Sequence, residues 1–527
     1  MTLTWNTYGR ARTAMTLVPL LSLAAVGCTD DTIGPAPVVR ELESIEQCKH
    51  TLVAGSMTQC GYLHVPANRN DPGSPLIKVY VTVFPAQDPA KATTPLIYLT
   101  GGPGTSTASA ISLFENAFMN PQWGGPDYAD IANAFRDNRD LIVLDQRGTN
   151  YSEPTLYCSK ELGPARAQAY GMSMTDAIAL RLTKLQECYQ RLKAEGVDLS
   201  AFDTNENAAD VYDLAVSLGH EKVNLYGASY GTRLTMTVMK LFPEVVESAA
   251  VDSVLPPEVN PFETQPEGVA YALGALWLSA EAKFPTLEAQ FYETIAELEA
   301  TPVQVTAHHY DVNGNPVDDI PVTMTGVEYV NYVVGTLRNT PVTASLPKNI
   351  AAMADTAGYQ VAADAHLSTL DFLFPDGEGG TDATALGMFE SVNGAADGYY
   401  TTVELIENQI DHYLQTDSLQ TWGRQIFIQQ NANVVGKWPV DPLLEDALYP
   451  LISDIPILMM VGSLDSATPL PFSEPSSRYL SNSFYFDIMA GHAVCFLPCA
   501  SDLLNSFLKN PSVKPESSCS ADPGWVQ

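Results

Sequence analysis

Basic residues are scarce in this chain: 27 lysines and arginines stand against 61 aspartates and glutamates, a formal net charge of −34 over 527 residues. So acidic a surface repels nucleic-acid phosphates and anionic lipid, and neither is expected as a partner. Long apolar runs are missing too: Leu17–Val26, near the N-terminus, has ten residues, too few to span a bilayer. The eight cysteines contain no C-x-x-C pair, and no histidine cluster supplies zinc spacing, so no metal site is expected. No long stretch is polar. With 46% hydrophobic residues, the composition is that of a folded globular chain and not a disordered one. The length suits more than one compact unit, or one large domain with a sizeable insertion.

The N-terminus reads as an address. Arg10 and Arg12 precede the apolar run, and the small-x-small tripeptide Ala25-Val26-Gly27 follows it. That is the order of a signal peptide over residues 1–27, cut before Cys28. The segment resembles a bacterial lipoprotein signal, in which the cysteine after the cut is acylated, although Ala25 stands where leucine is usual. Ordinary secretion, with Cys28 as a thiol or disulfide partner, is the other reading. A lipid on Cys28 is the single route to membrane attachment that the sequence offers. In an oxidising compartment, Cys48 with Cys60 and Cys158 with Cys188 can close modest loops, although spacing alone does not fix the pairing.

Further on, short apolar runs alternate with helical patterns. Leu76–Ala86 alternates like a strand on a sheet face. Pro95–Gly104 and Asp140–Gly148 are continuous apolar runs that end in turn residues, as buried parallel strands do. Val223–Gly227, Ser248–Val254, Ile455–Ser463 and Ser483–His492 repeat the pattern, with helical stretches such as Asn207–Gly219 between them. Such a βαβ series predicts a parallel sheet covered by helices. The rhythm breaks between about Pro256 and Pro450, where amphipathic helices such as Thr286–Ala300 and a hairpin over Val303–Thr325 predict an inserted helical layer. In that hairpin Asp311, Asn313 and Asn315 match the first ligand spacings of a calcium loop. Pro316 stands where glycine is needed and Val322 where the closing glutamate belongs, so an Asn-Gly turn is the reading. His308 and His309 belong to the hairpin and not to a metal site.

Chemistry concentrates in "VNLYGASYGTRL". Gly227-Ala-Ser-Tyr-Gly231 follows a predicted strand and opens a predicted helix, the setting of a nucleophile elbow centred on Ser229. A serine hydroxyl needs an adjacent base oriented by an acid. Two strand ends downstream provide both: Asp465 after Ile455–Ser463, and His492, 27 residues on. Asp252, after Ser248–Val251, is the competing acid. For the oxyanion, Gly102 in "TGGPG" and Tyr230, after the serine, are the expected backbone N–H donors.

On "GGPG", "DQRGTNYS", "GASYGTRLTMTVMKLFPEVVESAAVDSVLPP", "GSLDSATP" and "GHAVC", the chain resembles an α/β-hydrolase of the prolyl aminopeptidase and secreted tripeptidyl aminopeptidase group of serine exopeptidases. "CGYLHVPANRNDP" and "CASDLLNSFLKNPSVKPESSC" are similar to the tripeptidyl branch. The resemblance implies a mostly parallel central sheet flanked by helices, with residues 28–255 and 451–527 as its two parts and a mainly helical cap over 256–450. It also implies that Ser229, Asp465 and His492 are the triad and that Cys499–Cys519 closes a C-terminal disulfide loop. With three such bridges and Cys28 acylated, the leftover cysteine is Cys495, read as a buried structural thiol. Thr100 stands where many relatives have histidine, and Asn150 where glycine ends "RGTG".

The expectation is therefore an exported serine hydrolase that needs no cofactor and removes short peptides from a free N-terminus. Its cap closes one end of the cleft, with a carboxylate facing the substrate ammonium. A secreted esterase or lactone hydrolase with the same triad, and a non-catalytic hydrolase-like binding module, are the rival readings.

Overall fold

The computed structural model describes residues 42–526 apart from 89, 91, 120–125, 137, 311–314, 355, 378–383, 429–435 and 521–523. The leader, Cys28 and the Asn313-Gly314 turn lie outside the described residues. Among the described residues there are eleven strands: β1 (Leu42–Ser44), β2 (Gln59–Pro66), β3 (Leu76–Phe84), β4 (Leu96–Leu99), β5 (Leu141–Leu144), β6 (Val223–Ala228), β7 (Val246–Asp252), β8 (Val303–Tyr310), β9 (Pro316–Met324), β10 (Ile457–Gly462) and β11 (Ser483–Ile488). Nine form one sheet in the order β1-β2-β3-β5-β4-β6-β7-β10-β11, and β8 pairs with β9 as a separate hairpin. Pairing is parallel from β5 through β11 and antiparallel among β1, β2, β3 and β5. The expected mostly parallel α/β sheet is what the chain forms. β1 and β2 are additional to the strands read from the sequence, because Gln59 and His64 interrupt the apolar run in β2.

Alternate residues of the central strands feed opposite faces, as the two-residue period requires. Ile97 and Leu99 of β4 join the core on one side, with Leu225 and Met459, while Leu96 and Tyr98 join the other, with Tyr226 and Met460. Every residue of β4, β5 and β10 is buried, which is why these strands read as unbroken apolar runs. Each such aliphatic side chain contributes about 1.5–3 kcal/mol by leaving water.

Sheet order positions the site. β4 lies between β5 and β6, so the chain winds in opposite directions on its two sides and opens a crevice at the strands' carboxyl ends. The loop after β5 is locked from below. Buried Arg147 donates to both carboxylate oxygens of Asp210, on the helix Thr204–Ser217, at 2.8 Å, and to the carbonyls of Ala67 and Ala201. A guanidinium this deep is tolerable only because each edge has a partner.

Between β7 and β10 the chain leaves the sheet and builds the second layer: helices that include Pro261–Ala280, Leu287–Ala300, Gly326–Arg338, Leu386–Asn393 and Val403–Tyr413, with the β8–β9 hairpin. Its apolar core is not its own alone. Phe291, Tyr329 and Trp438 share one cluster with Leu162, Leu182 and Leu185 from the helices Ser159–Ala169 and Met174–Ala194, which precede β6. Disulfides join Cys48 to Cys60, Cys158 to Cys188 and Cys499 to Cys519, and Cys495 is a buried free thiol.

Candidate active site

The turn from β6 into the helix Tyr230–Leu241 is as tight as its two glycines allow. A Cβ on Gly227 would lie 2.2 Å from the carbonyl oxygen of Gly231, and one on Gly231 would lie 2.1 Å from that of Leu99. Between them Ser229 adopts φ 56° and ψ −124°, a left-handed region that a side-chain-bearing residue enters only under constraint. The strain lifts the hydroxyl out of the sheet's edge and leaves Ser229 part-exposed. Its N–H donates to the carbonyl oxygen of Asp252 on the neighbouring strand at 2.9 Å, which fixes the corner from behind. Gly231→Ala should therefore overpack the elbow and destabilise the fold by about 1–3 kcal/mol, seen as a lowered thermal midpoint. A midpoint within a degree of the parent would mean that this corner can relax.

The "GGPG" turn after β4 runs directly over the elbow. A Cβ on Gly101 would meet the Cβ of Ser229 at 2.7 Å, so only glycine permits this approach. Gly102 follows at φ 111°, which also favours glycine. Tyr230 is the first residue of the elbow helix, and its ring is pinned by a 3.1 Å contact between its hydroxyl and that of Thr204. Both expected oxyanion donors thus belong to segments packed around Ser229. Of the two unusual residues, Thr100 uses its carbonyl oxygen to accept from the Gln146 side-chain amide at 2.9 Å. Asn150 has φ 42°, which explains why glycine suits this position and why asparagine can stand in. Its amide donates to buried Asp145 at 2.9 Å.

The two strand-end loops converge as an acid–imidazole pair. His492 Nδ1 lies 2.7 Å from Asp465 Oδ2. Asp465 is fully buried and also accepts from the N–H groups of Ala467 (2.8 Å) and Thr468 (3.1 Å) and from the Thr468 hydroxyl (2.8 Å). Burial alone would push its carboxyl up. The charge and hydrogen bond of His492, with the Thr468 donors, outweigh that and hold it well below the ordinary carboxylate range. Thr468 is a participant the sequence reading missed. Its hydroxyl sits between the pair, 3.3 Å from His492 Nδ1, and a threonine three residues after an aspartate carries no signal of its own.

Asp252, the competing acid, has other work. Its carboxylate accepts from the N–H groups of Val494 (2.9 Å) and Cys495 (2.8 Å) and from the Tyr226 hydroxyl (2.9 Å). Next to it the Ser253 hydroxyl accepts from the N–H of Ala493 at 2.8 Å. The end of β7 thus grips the serine corner with a backbone oxygen and the histidine loop with side chains. Burial, followed by the Asp252 charge, pushes the Cys495 thiol far up, which suits an inert packed thiol.

The inserted layer closes over these loops. The N–H of Ala385 donates to the carbonyl oxygen of Gly104 at 2.8 Å, seating the helix Leu386–Asn393 against the "GGPG" turn. Arg233, one turn beyond Ser229, pairs with buried Asp397 at 2.6 Å. A strained serine, an anchored carboxylate–imidazole pair and a glycine-lined turn are the groups that acyl transfer requires.

Comparison with known proteins bears on the fold. A family model described as alpha/beta hydrolase fold matches residues 94–334. Serine protease Hip1 of Mycobacterium tuberculosis is 24% identical over 213 residues, 39% of this chain and 38% of that protein. A tripeptidyl aminopeptidase of Streptomyces lividans is 28% identical over 205 residues, 38% of this chain and 36% of that protein. The matched stretch therefore spans less than two-fifths of either relative. Among solved structures, an alpha/beta hydrolase enzyme from a deep-sea metagenome library aligns over 82% of this chain and 95% of its own, at 12% identity and a TM-score of 0.35.

Proposed function

Starting from a chain that has the α/β-hydrolase fold and resembles serine peptidases of the tripeptidyl aminopeptidase group, we propose that it is a serine aminopeptidase working through Ser229, His492 and Asp465. The observation that carries this reading is the 2.7 Å pairing of His492 Nδ1 with a buried carboxylate, at the same end of the parallel strands as a serine held at φ 56°.

His492 takes the Ser229 proton as Oγ attacks the scissile carbonyl. Asp465, anionic and bound at both oxygens, keeps the imidazole in the tautomer that presents Nε2 and stabilises the imidazolium that forms. The N–H groups of Gly102 and Tyr230 receive the oxyanion. The imidazolium then gives its proton to the leaving amine, the acyl-enzyme forms, and water repeats the cycle to release the acid and restore Ser229. No cofactor enters. The inserted layer limits the cleft at the acyl side, and one of its carboxylates takes the substrate ammonium; a chain of net charge −34 also draws cationic peptide termini toward it. Three disulfides support a site outside the reducing cytoplasm, in keeping with the leader read over residues 1–27 and with secretion or a lipid on Cys28.

The test compares free and N-acetylated tripeptidyl and prolyl chromogenic substrates. Acetylation removes the charge and adds bulk at the closed end, so kcat/KM should fall by about 100-fold or more, the scale of losing a buried charge-assisted contact. Equal rates would remove the aminopeptidase reading. Rapid turnover of aryl esters with no peptide cleavage would make the protein an esterase.

A further inference from the structure

His492 sits at a weak point of the main chain. Gly491 precedes it, and Ala493 follows with φ 60° in the left-handed region, a conformation that costs an alanine energy and needs outside support. Part of that support comes from β7, through Asp252 and Ser253. The rest comes from the inserted layer. The N–H of His492 donates to the carbonyl oxygen of Arg338 at 2.9 Å, and its carbonyl oxygen accepts from the Thr340 hydroxyl at 2.8 Å. Asn339, between those two residues, forms a parallel bridge with His492. The fit leaves no slack, since a Cβ on Gly491 would lie 2.4 Å from the carbonyl oxygen of Leu337.

Arg338 ends the helix Gly326–Arg338, whose last carbonyls have no partner inside the helix. The histidine loop supplies one. The same helix also reaches the acid's loop: the Ser466 hydroxyl, next to Asp465, donates to the carbonyl oxygen of Val334 at 2.9 Å. At its other end the helix is rooted by a capping box between Thr325 and Glu328, and its Tyr329, Val333 and Leu337 are buried in the core of the inserted layer. One rigid element of that layer therefore holds both members of the acid–base pair, which arise from two different strands of the sheet.

We propose that the inserted layer is part of the catalytic apparatus and not only its roof: the helix Gly326–Arg338 and Thr340 place His492, so that the base is aligned only while the layer is seated. Thr340 is a positioning residue, acting on the main chain of His492 and touching no reacting atom. The inference rests on the reading of His492 as the base. It joins substrate entry to catalysis, because any opening of the layer that draws Arg338 and Thr340 away also releases the imidazole from its place.

Thr340→Val keeps the shape and deletes the hydroxyl; Thr340→Ser keeps the hydroxyl. Valine should lower kcat on a chromogenic tripeptide by about 10-fold, between the worth of one hydrogen bond and the larger loss from misplacing a catalytic group. KM should stay within about 2-fold, and serine should restore kcat. In a Ser229→Ala background, where no turnover intervenes, Thr340→Val should also speed hydrogen exchange in the segment 488–497, with circular dichroism unchanged. An unaltered kcat in Thr340→Val beside an inactive His492→Ala overturns this inference alone. A raised KM at constant kcat overturns it too, since Thr340 would then be a substrate contact. A fully active His492→Ala removes the reading of the base, and this inference with it.

Discussion

Ser229→Ala should lose turnover by about 10⁴-fold or more, the scale on which removing a triad nucleophile acts, and should no longer react with a fluorophosphonate probe. The fold should survive, and the melting temperature should stay near or above that of the parent. Ser229 is part-exposed, its hydroxyl is not what holds the elbow, and the close contacts at that corner are made by Gly101, Gly227 and Gly231. A variant that kept its activity would refute the nucleophile. A variant that unfolded would show that the serine is structural, contrary to the geometry around it.

Asp465→Asn should come next, at about 10⁴-fold in kcat. The carboxylate receives four hydrogen bonds, from His492, the N–H groups of Ala467 and Thr468, and the Thr468 hydroxyl. An asparagine has one acceptor oxygen and one amide nitrogen to offer the same donors. Either the Ala467–Thr468 turn or the imidazole then faces an N–H group, and the latter arrangement turns the histidine to the wrong tautomer. Asp252→Asn makes the control. Its carboxylate supports the main chain of Val494 and Cys495, whereas the ring is hydrogen-bonded to Asp465. Its loss should therefore act mainly on stability, by about 1–3 kcal/mol for a buried donor left unpaired, with a smaller effect on kcat. If Asp252→Asn proved the more damaging to kcat at full folding, the acid would be Asp252.

Much of the candidate site is legible in the sequence because it depends on local chain chemistry. Gly227 and Gly231 flank a serine at a strand-to-helix corner, and no longer side chain fits there. Asp465 follows the buried run of β10, and His492 follows β11, which reads as apolar although this strand is half-exposed at the edge of the sheet; parallel pairing delivers both ends to one side. The choice between Asp465 and Asp252 was harder, since both follow core strands; what separates them is the loop beyond, which curls the Ala467 and Thr468 N–H groups back onto Asp465. Thr468 and Thr340 were beyond reach of sequence reasoning. The hydroxyl of Thr468 reaches His492 from 24 positions away and that of Thr340 from 152, and no periodicity records such a pairing. β1 and β2 were missed for a different reason: they are the outermost two antiparallel strands on one side of the sheet, with polar interruptions, stabilised by pairing and not by a continuous apolar run.

The shared core of the inserted layer bears on how such a protein can be rearranged. A segment between two strands looks like a module that could be exchanged among relatives by cutting at 256 and 450. Here Leu162, Leu182 and Leu185 belong to the other part of the chain, yet they pack in the same cluster as Phe291, Tyr329 and Trp438. A graft taken at those cuts would bring only part of an interior and leave the remainder behind in its parent. The unit of inheritance is larger and discontinuous: the helices between β5 and β6, tied by Cys158–Cys188, must travel with the layer they support, and substitutions on either side can be accepted only in step with the other.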